Sequence, residues 1–164
     1  MRYTSSQCEG SDELPQAVSK AARNVVRFRD IRPLWRSGVG ENAREIPIYK
    51  YTDKAGSDFV KGVPAAVESD ELRLTTGVMG PGEGAPLHDH TTEELMFVAS
   101  GSWVVFFDEA EKHKIFLEPW DAILVPANTA RGWRNVGKDI GCFLNISNVR
   151  DKMLPTSPSD SCAN

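Results

Sequence analysis

The sequence predicts an all-β protein, a sandwich or barrel, on three observations. From Ile46 onward the chain reads as about ten short apolar runs separated by Gly, Pro, Asn and Asp. No helical apolar periodicity of ten or more residues appears after Asn42. The 164 residues, 40% of them hydrophobic, suit one compact domain with its own core.

Along the chain, residues 1–24 read as an amino-terminal arm, partly disordered, because residues 1–16 are polar and rich in Ser, Glu and Gln. A short helix fits Gln16 to Asn24, after which the β-branched and aromatic VVRF, Val25 to Phe28, favours an extended piece. The barrel domain is expected over 25–150. Its candidate strands are IPIYKY, DFVKGV, ELRLTTGVM, APLHDH, EELMFVAS, SWVVFFD, KIFLE, DAILVP, RGWRNV and CFLNISNV. Ser100–Gly101 reads as a tight hairpin turn, with further turns at DEAEKH and at EPWD, Glu118 to Asp121. No internal repeat is visible, so the barrel is single. The stretch 151–164, DKMLPTSPSDSCAN, carries few apolar groups and is expected to be a disordered tail.

Composition excludes several function classes. The net charge of -4 and pI near 5.4, without a dense Lys/Arg block, leave no electrostatic footprint for nucleic acid or an anionic membrane. No apolar run approaches the ~20 residues a bilayer span needs, and the amino-terminal stretch has no apolar leader core, so the expectation is a soluble, cytoplasmic protein. Cys8, Cys142 and Cys162 are odd in number and unrelated in spacing, which fits neither a disulfide framework nor a thiolate metal site. Cys142, in GCFLNI, reads as a small core residue.

The chemistry concentrates in PGEGAPLHDHTTEELMFVASG, Pro81 to Gly101, which holds two of the three histidines in the chain. On an extended strand His88 and His90 face the same way, so their imidazoles can share one ion. Glu94 cannot lie on the same straight strand, because six residues at ~3.3 Å each would carry it roughly 20 Å from His88. A turn at Thr91 and Thr92 that returns Glu94 antiparallel beside the pair brings two nitrogens and one carboxylate together from adjacent strands. His113 lies in the charged EAEKHK and reads as a solvated loop residue. Asp89 and Glu93 alternate away from the three candidates and are not taken as ligands.

These residues resemble the cupin family. Gly82, His88, His90, Glu94 and Gly101 meet its first motif, G(X)5HXH(X)3-4E(X)6G, at every fixed position. The second motif, G(X)5PXG(X)2H(X)3N, is met in part by WDAILVPANTARGWRN. Pro126 and Asn135 match, whereas Trp120 and Asn128 replace glycines and Arg131 replaces the histidine that is typically a fourth ligand. The resemblance runs from about Ile46 to Val149 and implies a small jelly-roll barrel. It also implies one divalent transition metal on His88, His90 and Glu94, with Fe(II) favoured and Zn, Ni or Mn as alternatives.

A guanidinium has no lone pair for a metal, so Arg131 divides the readings. In one, the two-histidine, one-carboxylate site carries Fe(II)-dependent oxygenase chemistry on a small carboxylate or enolisable substrate, and Arg131 is a catalytic anion clamp. In another, Arg131 pairs with Glu94 in a metal-free pocket that binds a small ligand. In a third, the metal is structural or sensory; metal-dependent isomerase and decarboxylase activities also remain open on this fold. If Arg131 faces the lumen, alternation puts Trp133 and Asn135 beside it, and Met96 and Val98 beside Glu94, as pocket residues. On SWVVFF either Trp103, Val105 and Phe107 or Val104 and Phe106 face inward. The family's habit of pairing an early strand with a partner implies a homodimer, with Val25 to Trp35 as the packed arm. The expected partner is a small, anionic substrate.

Overall fold

The structure is a computed structural model and describes residues 16–37, 45–59, 62 and 64–155. One α-helix, Gln16–Arg23, and a short 3-10 turn, Phe28–Asp30, precede the strands. The strands are β1 (Leu34–Ser37), β2 (Glu45–Asp53), β3 (Val67–Glu68), β4 (Leu72–Met79), β5 (Gly84–His90) and β6 (Glu94–Ser100). Then come β7 (Trp103–Phe106), β8 (Lys114–Leu117), β9 (Ala122–Val125), β10 (Arg131–Asn135), β11 (Gly141–Asn148) and β12 (Met153–Pro155). One sheet runs β1-β2-β4-β11-β6-β9, with β3 parallel to β2, and the other runs β12-β5-β10-β7-β8. The two sheets form the expected all-β jelly-roll sandwich.

Alternation builds the core between them. On β6 Glu94, Met96 and Val98 are buried while Leu95, Phe97 and Ala99 are half-buried. Met96 and Val98 meet Trp103, Val105, Leu117 and Trp133 from the facing sheet. Trp103 stacks on Phe143 with centroids 4.7 Å apart, and Trp133 tilts against the same ring at 5.0 Å. This resolves the choice on SWVVFF: Trp103 and Val105 face the inter-sheet core, although Val104 and Phe106 are also buried on the other side.

Several expectations change. Ser100–Gly101 is not a hairpin turn: β6 belongs to one sheet and β7 to the other, so the chain crosses between sheets there, with Gly101 at φ +82°. The EPWD turn likewise carries the chain from β8 to β9 in the opposite sheet, and only DEAEKH closes a true hairpin, β7 with β8. Tight-turn chemistry reads the same in either use. Of DFVKGV, Asp58 and Phe59 are loop and turn; Val60, Lys61 and Val63 lie outside the described residues. The expected disorder from 151 is corrected: Asp151 is buried and Met153–Pro155 pairs with β5. Residues 156–164, like 1–15 with Cys8, lie outside the described residues, and Cys142 is half-buried rather than core.

Trp120 and Asn128, which stand where the resemblance has glycines, sit at φ +77° and +57°. Those positions demand the left-handed conformation, which explains the glycines there. Gly84 meets a different demand, since β5 and β10 approach so closely that a Cβ would strike the Trp133 carbonyl and lie 2.7 Å from Arg134 Cα. Gly84→Ala should cost at least about 2 kcal/mol because backbone on both strands must part. Chemical denaturation checks this, and an unchanged midpoint would contradict the close approach.

Candidate metal centre

His88 and His90 occupy the end of β5, and Glu94 opens β6 after a three-residue crossing, 91–93. These strands are not hydrogen-bonded neighbours. β5 lies between β12 and β10, whereas β6 lies between β11 and β9 in the opposite sheet. The expectation of adjacent strands is therefore corrected: the carboxylate meets the imidazoles across the sandwich. All three side chains are buried, and one candidate ligand atom from each lies within 4.8 Å of the others.

The outer nitrogens of both rings are committed. His88 Nδ1 donates to the Pro86 carbonyl at 2.7 Å, and His90 Nδ1 donates to the Asp151 carboxylate. A carbonyl or carboxylate accepts only, so a ring that carries one proton holds it on Nδ1 and leaves Nε2 to offer a lone pair. His90 Nε2 and Glu94 Oε2 are buried without a hydrogen-bond partner and stand 3.6 Å apart. Two donors each about 2.1 Å from one ion at a tetrahedral angle are separated by about 3.4 Å, so the pair fits a shared cation. Two inward imidazole nitrogens, an orphaned carboxylate oxygen and tied-back N–H groups are a donor set that can hold a divalent transition metal.

Burial drives the electrostatics. Removal from water pushes His88 down to about 4, only partly opposed by its bond to Pro86. The same cause raises Glu94, against the pull of His90 and Arg131. Burial would also raise Asp151, but donation from His90 and Thr92 outweighs it and holds this carboxyl below its usual range.

Asp151 is the residue sequence reasoning missed, because it begins the polar stretch taken as a tail and no local motif marks it. Its Oδ1 accepts from Thr92 N at 3.0 Å and Thr91 Oγ1 at 3.3 Å, which fixes the crossing between β5 and β6. Arg73 backs it from β4: NH1 lies 3.8 Å from Asp151 Oδ2, NH2 donates to Val149 O at 3.0 Å, and Nε donates to Asp53 at 3.1 Å.

Arg131 is drawn to the site and packs against Glu94. Its Cα pairs with that of His88 across β10 and β5, its side chain is 0% exposed, and NH1 donates to Thr129 O at 2.9 Å. Nε stands 3.4 Å from Glu94 Oε2, an ion-pair distance without hydrogen-bond alignment. Burial lowers the guanidinium, with Glu94 opposing, and Arg131 does not border the cavity. The head is buried beside Glu94, with Nε and NH2 left without a hydrogen-bond partner.

A cavity of about 360 Å³ opens beside the three candidates, and its wall includes Ile46, Ile48, Met79, Ala85 and Trp133. Of the four expected pocket residues only Trp133 lines it. Met96 and Val98 are packed in the core, one layer behind. Asn135 is structural: Nδ2 donates to Met79 O and Asp139 O, both at 2.9 Å, and Oδ1 accepts from Gly137 N. His113 is exposed, with Asp108 as its partner, and Glu93 is exposed, as the sequence implied.

The His88 ring in metal-free protein should stay neutral through pH 6 and titrate near pH 4, read from its imidazole resonances. The unfolded ring protonates near 6.5, so the folded state binds fewer protons between those values, and this group's contribution to stability falls as pH falls through that window. A midpoint near 6.5 would contradict a dry environment for the ring.

A family profile described as cupin domain matches residues 75–147. Comparison with curated protein sequences finds no match. Among solved structures, the fold is similar to the polyketide cyclase RemF from Streptomyces resistomycificus, at TM-score 0.55 and 18% identity over 84% of this chain and 87% of that one. It is similar to a predicted oxalate decarboxylase from Thermotoga maritima, at TM-score 0.54 and 17% identity over 80% and 99%. The DMSP lyase DddQ from Ruegeria pomeroyi DSS-3 gives TM-score 0.57 and 20% identity over 77% of this chain and 62% of the lyase. At these identities the likeness is one of fold, and no helix among the described residues is long and apolar enough to cross a membrane. The profile match and the two jelly-roll sheets together show a cupin domain over residues 75–147.

Proposed function

We propose that the chain is a small-molecule metalloenzyme in which His88, His90 and Glu94 hold one divalent transition metal at the inner end of the cavity. The observation that carries this reading is the convergence of the three ligand atoms within 4.8 Å, with both Nδ1 groups tied away from the centre. Two nitrogens and one carboxylate leave open positions and suit Fe(II) among other ions; such a metal polarises a substrate oxygen and, as iron, supports oxygen chemistry. The residues divide the remaining work. His88, neutral through its burial, presents a lone pair without proton competition at pH 7, and Asp151 orients His90. Glu94 offsets part of the ion's charge, Arg131 holds that carboxylate from behind, and the apolar wall keeps water from the reacting groups. Within this reading an oxygenase acting on an enolisable substrate is favoured over an isomerase or decarboxylase by the open ligand set alone.

One observation favours a second reading. Arg131 Nε at 3.4 Å from Glu94 Oε2 supplies a positive charge without any metal, as a metal-free binding protein would require. A homodimer belongs to either reading, since β1 is a sheet edge that pairs only with β2 among described strands and carries Trp35, 55% exposed. Light scattering on the purified protein should return twice the 18.1 kDa chain mass, and a clean monomer would end the dimer.

Metal content by plasma mass spectrometry, on protein purified anaerobically without a polyhistidine tag, tests the main reading. We expect about one transition metal per chain, its loss in His88→Ala, and metal affinity about 10–100-fold weaker in Asp151→Asn. No retention after reconstitution with Fe(II), Mn(II), Ni(II) and Zn(II) overturns the metalloenzyme and leaves the Arg131–Glu94 pocket.

A further inference from the structure

The three candidate ligands occupy a small part of the cavity wall, and the remainder is built for a different chemistry. Across about 360 Å³ the wall is carried by Ile46, Ile48, Met79, Leu87 and Trp133. At ~30 Å³ per water this is space for about twelve waters, or one fused two-ring compound of about a dozen non-hydrogen atoms. No lysine or arginine lines it among the described residues. The nearby cations do not border it: Arg131 packs against Glu94 with NH1 on Thr129 O, Arg73 donates to Asp53 and Val149 O, and Lys50 donates to Phe59 O at 2.7 Å. A ligand carboxylate placed against this wall, away from the candidate centre, would lose its water without a counter-charge, and burying an unpaired charge is costly. Glu94 adds a carboxylate to the same space.

Besides the His90 and Glu94 atoms of the candidate centre, one further polar group in the wall lacks a partner. Asn145, on β11 opposite Thr75 of β4 and Met96 of β6, lines the cavity, and its Oδ1 is buried without a hydrogen bond. An orphaned buried acceptor costs free energy until a donor arrives. Its neighbours on the floor are lean: at Gly77 of β4 a Cβ would lie 2.5 Å from Met79 Cε. The missing side chain lets Met79 and Ile48 lie flat beneath the cavity.

We propose that the site takes an uncharged, largely apolar ring compound bearing a hydroxyl or N–H that Asn145 accepts, rather than a small carboxylate. This deepens the metalloenzyme reading by naming its substrate class, but the wall and Asn145 argue for it independently of the ion. The ring fills the Ile48–Met79–Trp133 wall, and Asn145 sets its orientation relative to His88 and His90.

Binding can be measured without turnover, by calorimetry and by quenching of Trp133 emission, on protein loaded with redox-inert Zn(II) and on chelator-stripped protein. The probes are 1-naphthol, 1-methoxynaphthalene and succinate. In the stripped protein we expect 1-naphthol to bind at least about tenfold more tightly than both others. Asn145→Leu should weaken 1-naphthol about 5–30-fold, as loss of a buried hydrogen bond implies, and leave 1-methoxynaphthalene within about twofold. If Asn145→Leu does not fold, the comparison of naphthol with its methyl ether in the native chain decides. Succinate binding as tightly as 1-naphthol, or naphthol and its ether binding equally, overturns the proposal. Failure of the metal reading looks different: no Zn(II) is retained, yet 1-naphthol still binds.

Discussion

The contact between His90 and Asp151 is the constraint on which the rest of the candidate centre depends. It holds one imidazole with its lone pair inward, and it brings residues 149–155 back onto β5 so that β12 completes that sheet. The carboxylate cannot do this alone, because burial favours its protonated form. Donation from His90 and Thr92 keeps it ionised, and Arg73, close beside it, is itself anchored on Asp53 and covered by the Phe59 ring at 3.9 Å. A buried charge network of this kind adds little net stability over an apolar filling, but removing one member leaves the others unpaired. Its benefit is placement: β2, β4, β5 and the carboxy-terminal segment are drawn to one point beside the ligands.

Much of this was legible in the sequence because it depends on local alternation. His88 and His90 share a face because they are two residues apart on a strand, and Glu94, Met96 and Val98 are buried together for the same reason. The turn chemistry was legible only as turns. A Ser-Gly or Pro-Trp-Asp corner reads alike whether it closes a hairpin or leads from one sheet to the other, and so does the 91–93 turn, which sets Glu94 across from the histidines rather than beside them. Asp151 and Arg73 were not legible, because their partners are 61 and 20 residues away in the chain and neither sits in a motif. The depth of the layers was also hidden. Alternation assigns Met96 and Val98 to the inner face without saying that they pack against the facing sheet while the open space lies further along, beside Ile48 and Met79.

Arg131 illustrates how one substitution redistributes charge without emptying a site. At a position where the family places a histidine, the longer side chain passes behind Glu94, and the head finds the Thr129 carbonyl instead of the cavity. A cation there lowers the cost of keeping Glu94 ionised in a dry environment, a cost otherwise met by an ion. The centre is thus electrostatically softer: its carboxylate has one permanent neighbour of opposite charge, and what it offers to a metal is correspondingly less.

Because β5 and β6 belong to opposite sheets, the candidate ligands form a clasp across the sandwich rather than a feature of one strand pair. The gap between histidines and carboxylate is therefore set by the bore of the barrel, and the bore is set by the rings wedged farther along, Trp103, Trp133 and Phe143. Were an ion held there, the radius it fits would follow from aromatic packing, and breathing of the two sheets against each other is the motion that would open and close the grip.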